Sequence, residues 1–224
     1  MSHNLMKTII IIPARMASVR FPNKPMALIK GKPMIQRVWE KARESNIGPV
    51  IVACCEKEVF NLITSIGGNA VMTSPKHPSG TDRIFEVINN HSDVNKFDSI
   101  INLQGDMPLI KPSDIEKVNI PLMQGFDIGT LVTNISLEEE KNINITKVKI
   151  DWIKKNELGT AVDFYKLSKN RLDKIYHHVG IYSFRYKSLK NFVNLEPSVN
   201  EIHYKLEQWR ALDANISIGA AFIK

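Results

Sequence analysis

The sequence predicts an α/β fold with a mostly parallel central sheet and helices on both of its faces. Short apolar runs alternate with segments of helical periodicity over most of the 224 residues, an alternation typical of parallel sheets. The first run, Thr8 to Ala14, is apolar on both faces and rich in β-branched residues, as a central strand is when helices cover both sides. No repeat, low-complexity tract or linker divides the chain, so we expect a single domain over residues 1–224.

The first half of the chain predicts strands separated by helices. After the first strand and a polar loop, Pro33 begins a helix that runs to about Asn46 and places Ile35, Val38 and Trp39 on one face. The next predicted elements are a strand over 50–55, a helix over 58–66 that stops at the glycine pair 67–68, a strand over 70–72, a helix over 81–89 and a buried strand over 98–103.

The second half is less regular. The predicted elements are strands over 127–135, 146–151, 159–164 and 179–185, an amphipathic helix over about 201–212, and a final strand over 216–223. We expect the charged stretch Glu138 to Asn142 to be a loop or a dimer-facing excursion.

Composition excludes several classes of protein. The chain is 43% hydrophobic and 24% charged, which is ordinary for a globular domain and excludes a disordered, collagenous or coiled-coil protein. Its 30 basic and 23 acidic residues give a net charge of +7, but the basic residues are scattered, so we expect attraction for small anions and no nucleic-acid partner.

Cellular location is predicted from what the sequence does not contain. Its longest apolar run is far shorter than the ~20 residues that span a bilayer, and no signal-peptide pattern opens the chain. The two cysteines, Cys54 and Cys55, are neighbours and too close for ordinary disulfide geometry. We therefore expect a cytoplasmic protein without a membrane partner, whose cysteines are buried thiols.

The first candidate site follows the first strand directly. The segment PARMASVRFPNKP (13–25) contains Arg15, Arg20 and Lys24. Cations and backbone amides at the carboxyl end of a strand suit a polyphosphate, because fixed donors replace water around its dense negative charge. The segment matches neither a Walker loop nor a dinucleotide fingerprint, and a solvated basic loop is the alternative interpretation.

The second candidate is the segment HPSGTDR (77–83), at the start of the helix predicted from Thr81 to Asn89. Gly80 would allow the close approach of a ligand, and Ser79 and Thr81 could cap the helix. Capping of the helix explains the same residues without any ligand.

The third candidate, NLQGDMP (102–108), is the most informative. Gln104 and Asp106 leave the carboxyl end of a predicted buried strand, where ligands collect in open α/β sheets. Mg²⁺ commonly takes only one or two protein carboxylates and completes its shell with water and phosphate oxygens. Asp106 therefore predicts a magnesium ligand, with a turn-forming aspartate as the alternative.

Two weaker candidates lie in the second half. His178 precedes an apolar strand, and Glu207 and Gln208 lie in the segment LEQWR. A structural histidine and a pairing of Glu207 with Arg210 on the same helix are the alternative interpretations.

Taken in order, six segments resemble the 3-deoxy-manno-octulosonate (Kdo) cytidylyltransferases, or CMP-Kdo synthetases, from about residue 7 to residue 223. These segments are IIPARMASVRFPNKP, GKPMIQRVWEKARES, SGTDR, NLQGDMP, VGIYSF and LEQWRAL. The resemblance implies a Rossmann-like nucleotide-diphospho-sugar transferase fold and a homodimer. It also implies the reaction of CTP with Kdo to give CMP-Kdo and pyrophosphate, for lipopolysaccharide synthesis.

The resemblance also implies roles for individual residues. Arg15 and Lys24 match positions that hold the CTP phosphates, with Arg20 as a weaker match, and Asp106 matches the magnesium ligand. The SGTDR residues match the nucleotide site, Gln104 lies beside both substrates, and the remaining matches recognise the sugar acid. The nucleotide-site matches are Ser79, Gly80, Thr81 and Arg83, and the sugar-site matches are His178, Tyr182, Glu207 and Gln208.

The chain departs from the family at its end. Family members continue past the last strand into a VDTPEDL-like segment with a second magnesium aspartate, whereas the sequence stops at Ile223-Lys224. The alternatives are a catalytically impaired nucleotide-binding paralogue and a cytidylyltransferase for another 2-keto-3-deoxy sugar acid.

Overall fold

The structure is a computed structural model that describes residues 6–16, 23–166 and 174–224. The chain divides into two compact units, Met1–Glu116 and Lys117–Lys224, which are described separately below.

The first unit is built on a four-stranded parallel sheet in the order β5-β4-β1-β6. Its side chains explain the arrangement, because β1 and β6 are buried along their whole length and isoleucines 9–12 are fully inaccessible to solvent. A small β2-β3 hairpin lies between β1 and α1. The strands are β1 (Thr8–Ala14), β2 (Leu28–Ile29), β3 (Lys32–Pro33), β4 (Val50–Cys54), β5 (Asn69–Met72) and β6 (Ser99–Asn102).

Helices connect these strands in the order that parallel pairing requires. α1 buries Ile35, Val38 and Trp39 on one face, as its periodicity predicts. The helices are α1 (Met34–Glu44), α2 (Lys57–Ser65), α3 (Gly80–Asn89) and α4 (Pro112–Lys117), with short 3₁₀ turns at Lys24–Met26 and Val94–Lys96.

The second unit contains five strands, each of which pairs with two of the others. β7 pairs with β11 in parallel, whereas the β10-β7, β10-β8, β11-β9 and β8-β9 pairs are antiparallel. The strands are β7 (Ile128–Thr133), β8 (Lys147–Lys154), β9 (Leu158–Tyr165), β10 (Ile175–Phe184) and β11 (Ile218–Phe222). The helices are α5 (Ile120–Met123), α6 (Leu137–Lys141), α7 (Tyr186–Val193), α8 (Val199–Tyr204) and α9 (Gln208–Asp213).

The predicted α/β class is confirmed, and two local predictions are wrong. The stretch Glu138 to Asn142 is not the expected loop but largely helix α6, because Ser136 and Glu139 form a reciprocal capping box at its start; the alternative of a dimer-facing excursion stays a prediction. The expected helix over 201–212 is two helices, because Lys205 between them has a left-handed backbone with φ of 54°. A helix does not continue through that conformation.

The helices and the two thiols bear on the expected location of the protein. Within the described ranges, no helix combines the length and the hydropathy that a bilayer crossing requires. Cys54 and Cys55 are free thiols; Cys54 is buried as predicted, whereas Cys55 is partly exposed, so the expected burial is wrong for Cys55. Burial raises the pKa of Cys54 to about 11, so this thiol stays protonated and unreactive.

Candidate active site

The candidate residues of the first unit lie near the carboxyl ends of its parallel strands. Ala14 at the end of β1 is in register with Cys54 at the end of β4, and Ile11 of β1 is in register with Asn102 at the end of β6. Arg15 follows β1 immediately and is exposed. Arg20 lies outside the described residues.

Lys24 and Asp106 meet at this edge. The Lys24 Nζ atom lies 2.5 Å from Asp106 Oδ2, and the two side chains are 37% and 48% exposed. An ion pair this exposed contributes less than about 1 kcal/mol, so both groups can exchange their contact for a charged substrate at low cost. Sequence reasoning placed both residues in one site, and the structure brings them together.

The loop that carries Asp106 packs closely on the end of β1. A Cβ atom at Gly105 would lie 2.9 Å from the Pro13 carbonyl oxygen and 3.2 Å from Ile35 Cδ1. A Cβ atom at Gly80 would lie 3.1 Å from Pro13 Cγ and 3.5 Å from Gln104 Oε1. Both segments therefore reach β1 only because these positions lack side chains.

Ser79 caps α3, as the capping interpretation predicts. Its hydroxyl accepts hydrogen bonds from the Thr81 and Asp82 amides at 3.1 and 3.2 Å and lies 2.6 Å from Asp82 Oδ2, to which it donates. Behind the cap, Asn102 Nδ2 donates to Thr81 Oγ1 at 3.3 Å and Gln104 Nε2 donates to Asn102 Oδ1 at 2.9 Å. This chain orients Gln104 and joins the second and third candidate segments.

Arg83 occupies the interior of the first unit. It is only 2% exposed, and its guanidinium donates to Thr73 Oγ1, which in turn donates to the Cys54 carbonyl at 3.0 Å. These contacts tie α3 to β4. The predicted contact of Arg83 with a nucleotide stays a prediction.

The four candidates of the second unit form one cluster, and Tyr182 lies at its centre. Gln208 Nε2 donates to the Tyr182 hydroxyl, and burial, together with the charge of Glu207, raises the pKa of this phenol. The phenol therefore keeps its proton and can donate it. Gln208 Oε1 is buried and accepts no hydrogen bond from the described residues, so the cluster offers both a donor and an acceptor.

His178 adds a neutral imidazole to this cluster. Burial, aided by the neighbouring His177, lowers the pKa of His178 to about 3. The Thr130 hydroxyl donates to the Ile181 carbonyl at 2.8 Å and lies 3.0 Å from His178 Nε2. Because that hydroxyl has a single proton, Nε2 must carry the imidazole proton and donate to Thr130, which leaves Nδ1 as an acceptor.

Ring contacts hold this imidazole in place. The His178 ring lies edge-on to Phe164 at 5.1 Å and tilted against Tyr182 at 5.5 Å between centroids. Arg210, the alternative partner that the sequence offered for Glu207, makes a two-pronged ion pair with Glu201 at 2.8 and 2.7 Å.

Sequence reasoning missed Asn102 and Thr130, which orient Gln104 and His178. Both are completely buried. The signal was available, because Asn102 directly follows Ile100 and Ile101 and Thr130 directly precedes Leu131 and Val132 in buried strands, and buried polar groups require partners.

The side chains at this site can be compared with the ligands that Mg²⁺ requires. Among the described residues, no three His, Cys, Asp or Glu side chains form a metal-binding group. Asp106 is a single, accessible carboxylate at a strand end, which fits a Mg²⁺ that obtains its other ligands from water and substrate phosphates.

Comparison with known proteins extends over nearly the whole chain. The family model described as cytidylyltransferase matches residues 9–218. The 3-deoxy-manno-octulosonate cytidylyltransferase of Paramagnetospirillum magneticum is 43% identical over 218 residues, which cover 96% of this chain and 89% of the relative. The enzyme of the same name from Brucella suis is 39% identical over 222 residues, covering 98% and 88%.

Solved structures agree. A CMP:2-keto-3-deoxy-manno-octonic acid synthetase complexed with CTP superposes with a TM-score of 0.85 at 34% identity and covers 97% of this chain and 90% of that chain. A UDP-glucose pyrophosphorylase, at 15% identity and a TM-score of 0.67 over 98% and 91% of the two chains, shares the fold. The matched length, the identity and the site geometry lead to one conclusion: the chain belongs to the cytidylyltransferase family.

Proposed function

We propose that this protein transfers CMP from CTP to Kdo with release of pyrophosphate, and so supplies the activated sugar for lipopolysaccharide synthesis. The observation that carries the proposal is the exposed Lys24–Asp106 pair at the carboxyl edge of a parallel sheet, in a chain whose relatives bear the name of this enzyme.

The reaction requires positioning and charge neutralisation. The anomeric hydroxyl of the sugar attacks the α-phosphorus in line with the departing pyrophosphate, so catalysis depends on holding both substrates and on offsetting phosphate charge. Arg15, exposed directly after β1, and Lys24 supply positive charge to the triphosphate.

Asp106 has a separate role. Its carboxylate would hold Mg²⁺, which when bound supplies Lewis-acid stabilisation of the phosphate charge. Lys24 then exchanges its contact with Asp106 for a phosphate oxygen, and the low cost of breaking an exposed ion pair makes this exchange easy.

The partly buried cluster of the second unit suits the sugar acid. The Tyr182 hydroxyl donates, while Gln208 Oε1 and His178 Nδ1 accept. A polyhydroxylated ligand can satisfy both kinds of group, and a ligand without the matching hydroxyls would leave buried polar atoms unpaired. Glu207 contributes negative charge next to Tyr182.

The wider setting is part of the same proposal. We expect residues 1–224 to act as one nucleotidyltransferase domain, to assemble as a homodimer and to work in the cytoplasm, where CTP is available. The mass of the purified protein in solution, measured by light scattering, tests the dimer.

Pyrophosphate release tests the reaction. Purified protein with CTP, Mg²⁺ and Kdo should release pyrophosphate at a rate that depends on all three, and UTP in place of CTP should give little. Release with another 2-keto-3-deoxy acid and none with Kdo would change the proposed substrate. Tight CTP binding without release from any sugar acid would instead identify a catalytically impaired nucleotide-binding paralogue.

A further inference from the structure

The backbone of Met16 links the two predicted phosphate-binding cations. The Met16 amide belongs to the peptide that joins it to Arg15, so its orientation sets the direction in which Arg15 leaves β1. The Met16 carbonyl accepts a hydrogen bond from the Asn23 amide at 3.1 Å, and Asn23 directly precedes Lys24. One residue thus joins the start and the end of the segment that contains both cations.

Glu56, which lies between β4 and α2, holds the backbone of Met16. The Met16 amide donates to Glu56 Oε1 at 3.0 Å, and the Cys55 thiol, 3.1 Å from the same oxygen, donates to it as well. Burial and this contact raise the pKa of Cys55, so the thiol remains a donor. Glu56 directly precedes α2 and follows the end of β4, which anchors the contact to the sheet.

The second carboxylate oxygen of Glu56 lowers the stability of the fold. Glu56 Oε2 is buried and accepts no hydrogen bond from the described part of the chain. A buried acceptor without a partner destabilises a fold, and a neutral side chain could hold the Met16 amide at less cost. The contact with the Met16 amide therefore uses one oxygen of Glu56 and leaves the other without a partner among the described residues.

We propose that Glu56 is a positioning residue for the triphosphate of CTP. By holding the Met16 amide, its carboxylate orients Arg15 and, through the Met16–Asn23 hydrogen bond, sets where the Lys24 segment begins. The inference rests on the proposed function only in assigning the CTP phosphates to Arg15 and Lys24.

The test compares CTP affinity, kinetics and stability in two variants. Glu56→Ala removes the acceptor, and we expect the dissociation constant and the KM for CTP to rise about tenfold, while the KM for the sugar acid stays within about twofold. Because the variant also removes an unsatisfied buried oxygen, we expect its thermal midpoint to stay within about 4 °C of the parent protein. Glu56→Gln keeps an oxygen that accepts from Met16 and should restore CTP affinity to within about threefold.

Glu58→Ala is the matched control, because Glu58 is an exposed carboxylate in the first turn of the same helix. Equal CTP affinity in Glu56→Ala and Glu58→Ala would overturn the inference. So would a fall in affinity that follows a fall in thermal midpoint in both Glu56 variants, since that pattern indicates a structural role. Calorimetric CTP binding needs no turnover, so a parent protein that binds CTP but does not react with Kdo contradicts the proposed function and leaves the Glu56 comparison valid.

Discussion

The candidate groups in the two units are built in opposite ways. The predicted phosphate-binding groups of the first unit are charged and exposed, and the Lys24–Asp106 contact is open to solvent, with the two side chains 37% and 48% exposed. In the second unit, His178 is buried and neutral, and burial keeps Tyr182 protonated. The contrast has a physical reason: burying isolated charges is very costly, whereas buried neutral groups discriminate strongly between ligands because a mismatch leaves them unpaired.

The largest expected effect comes from the exposed side of this comparison. Asp106→Asn removes the negative charge that would hold Mg²⁺ but nearly preserves shape. We expect pyrophosphate release to fall on the order of 10³-fold, while the urea midpoint changes little because an exposed ion pair contributes less than about 1 kcal/mol. Steady-state rates of pyrophosphate release measure the first effect, and urea unfolding measures the change in stability.

Asp93→Asn is the control for Asp106→Asn. The side chain of Asp93 is also exposed and pairs with Lys96 at 2.7 Å, but Asp93 directly precedes the 3₁₀ turn Val94–Lys96, which leads to the amino end of β6 and not to its carboxyl end. It should keep the parent rate. Comparable losses in the two variants would show that the pair at the sheet edge has no special role.

A smaller effect is expected in the cluster around Tyr182. Tyr182→Phe removes the hydroxyl that accepts from Gln208 Nε2 and that would donate to the sugar. We expect the KM for Kdo to rise about tenfold, as for the loss of one buried hydrogen bond, with the KM for CTP unchanged.

Tyr186→Phe, in α7, is the corresponding control and should leave both KM values at their parent values. If Tyr182→Phe raised the KM for CTP as much as the KM for Kdo, the assignment of the charged groups to CTP and of the neutral groups to the sugar would be wrong.

The last expected effect is on stability rather than on activity, and it is a pH dependence that originates in His178. Its folded pKa of about 3 lies below the value of about 6.5 in an unfolded chain. Between these values the unfolded state binds more protons, so the free energy of unfolding should fall as pH decreases below about 6.5, by about 1 kcal/mol per pH unit. Above that pH, His178 contributes no slope.

Urea unfolding at pH 7.5 and pH 5 measures this dependence. His178→Gln can still donate to Thr130 but cannot take up a proton, so the loss on acidification should shrink. The exposed His203 provides the control His203→Gln, which should keep the parent slope. An unchanged slope in His178→Gln would mean that the imidazole is not held neutral.

Local sequence patterns predicted several features of the fold and of the candidate site. Burial of β1 on both faces follows from its run of isoleucines, and the cap at Ser79 follows from a hydroxyl placed just before a helix. Local patterns also explain the failures. The capping box of α6 was present in Ser136 and Glu139 but was hidden by the charge of the stretch, and nothing in the sequence around Lys205 marks its left-handed backbone.

The sequence by itself showed which residue types follow the predicted strands, because strand burial and helix capping depend on a few neighbouring residues. It therefore indicated charged groups for a phosphate ligand and hydroxyl groups for a sugar. The sequence could not show which side chains contact each other in the folded protein. Lys24 and Asp106 are 82 positions apart, Met16 and Glu56 are 40 apart, and Tyr182 and Gln208 are 26 apart. Strand register and loop packing bring such pairs together, and neither is visible in a local pattern.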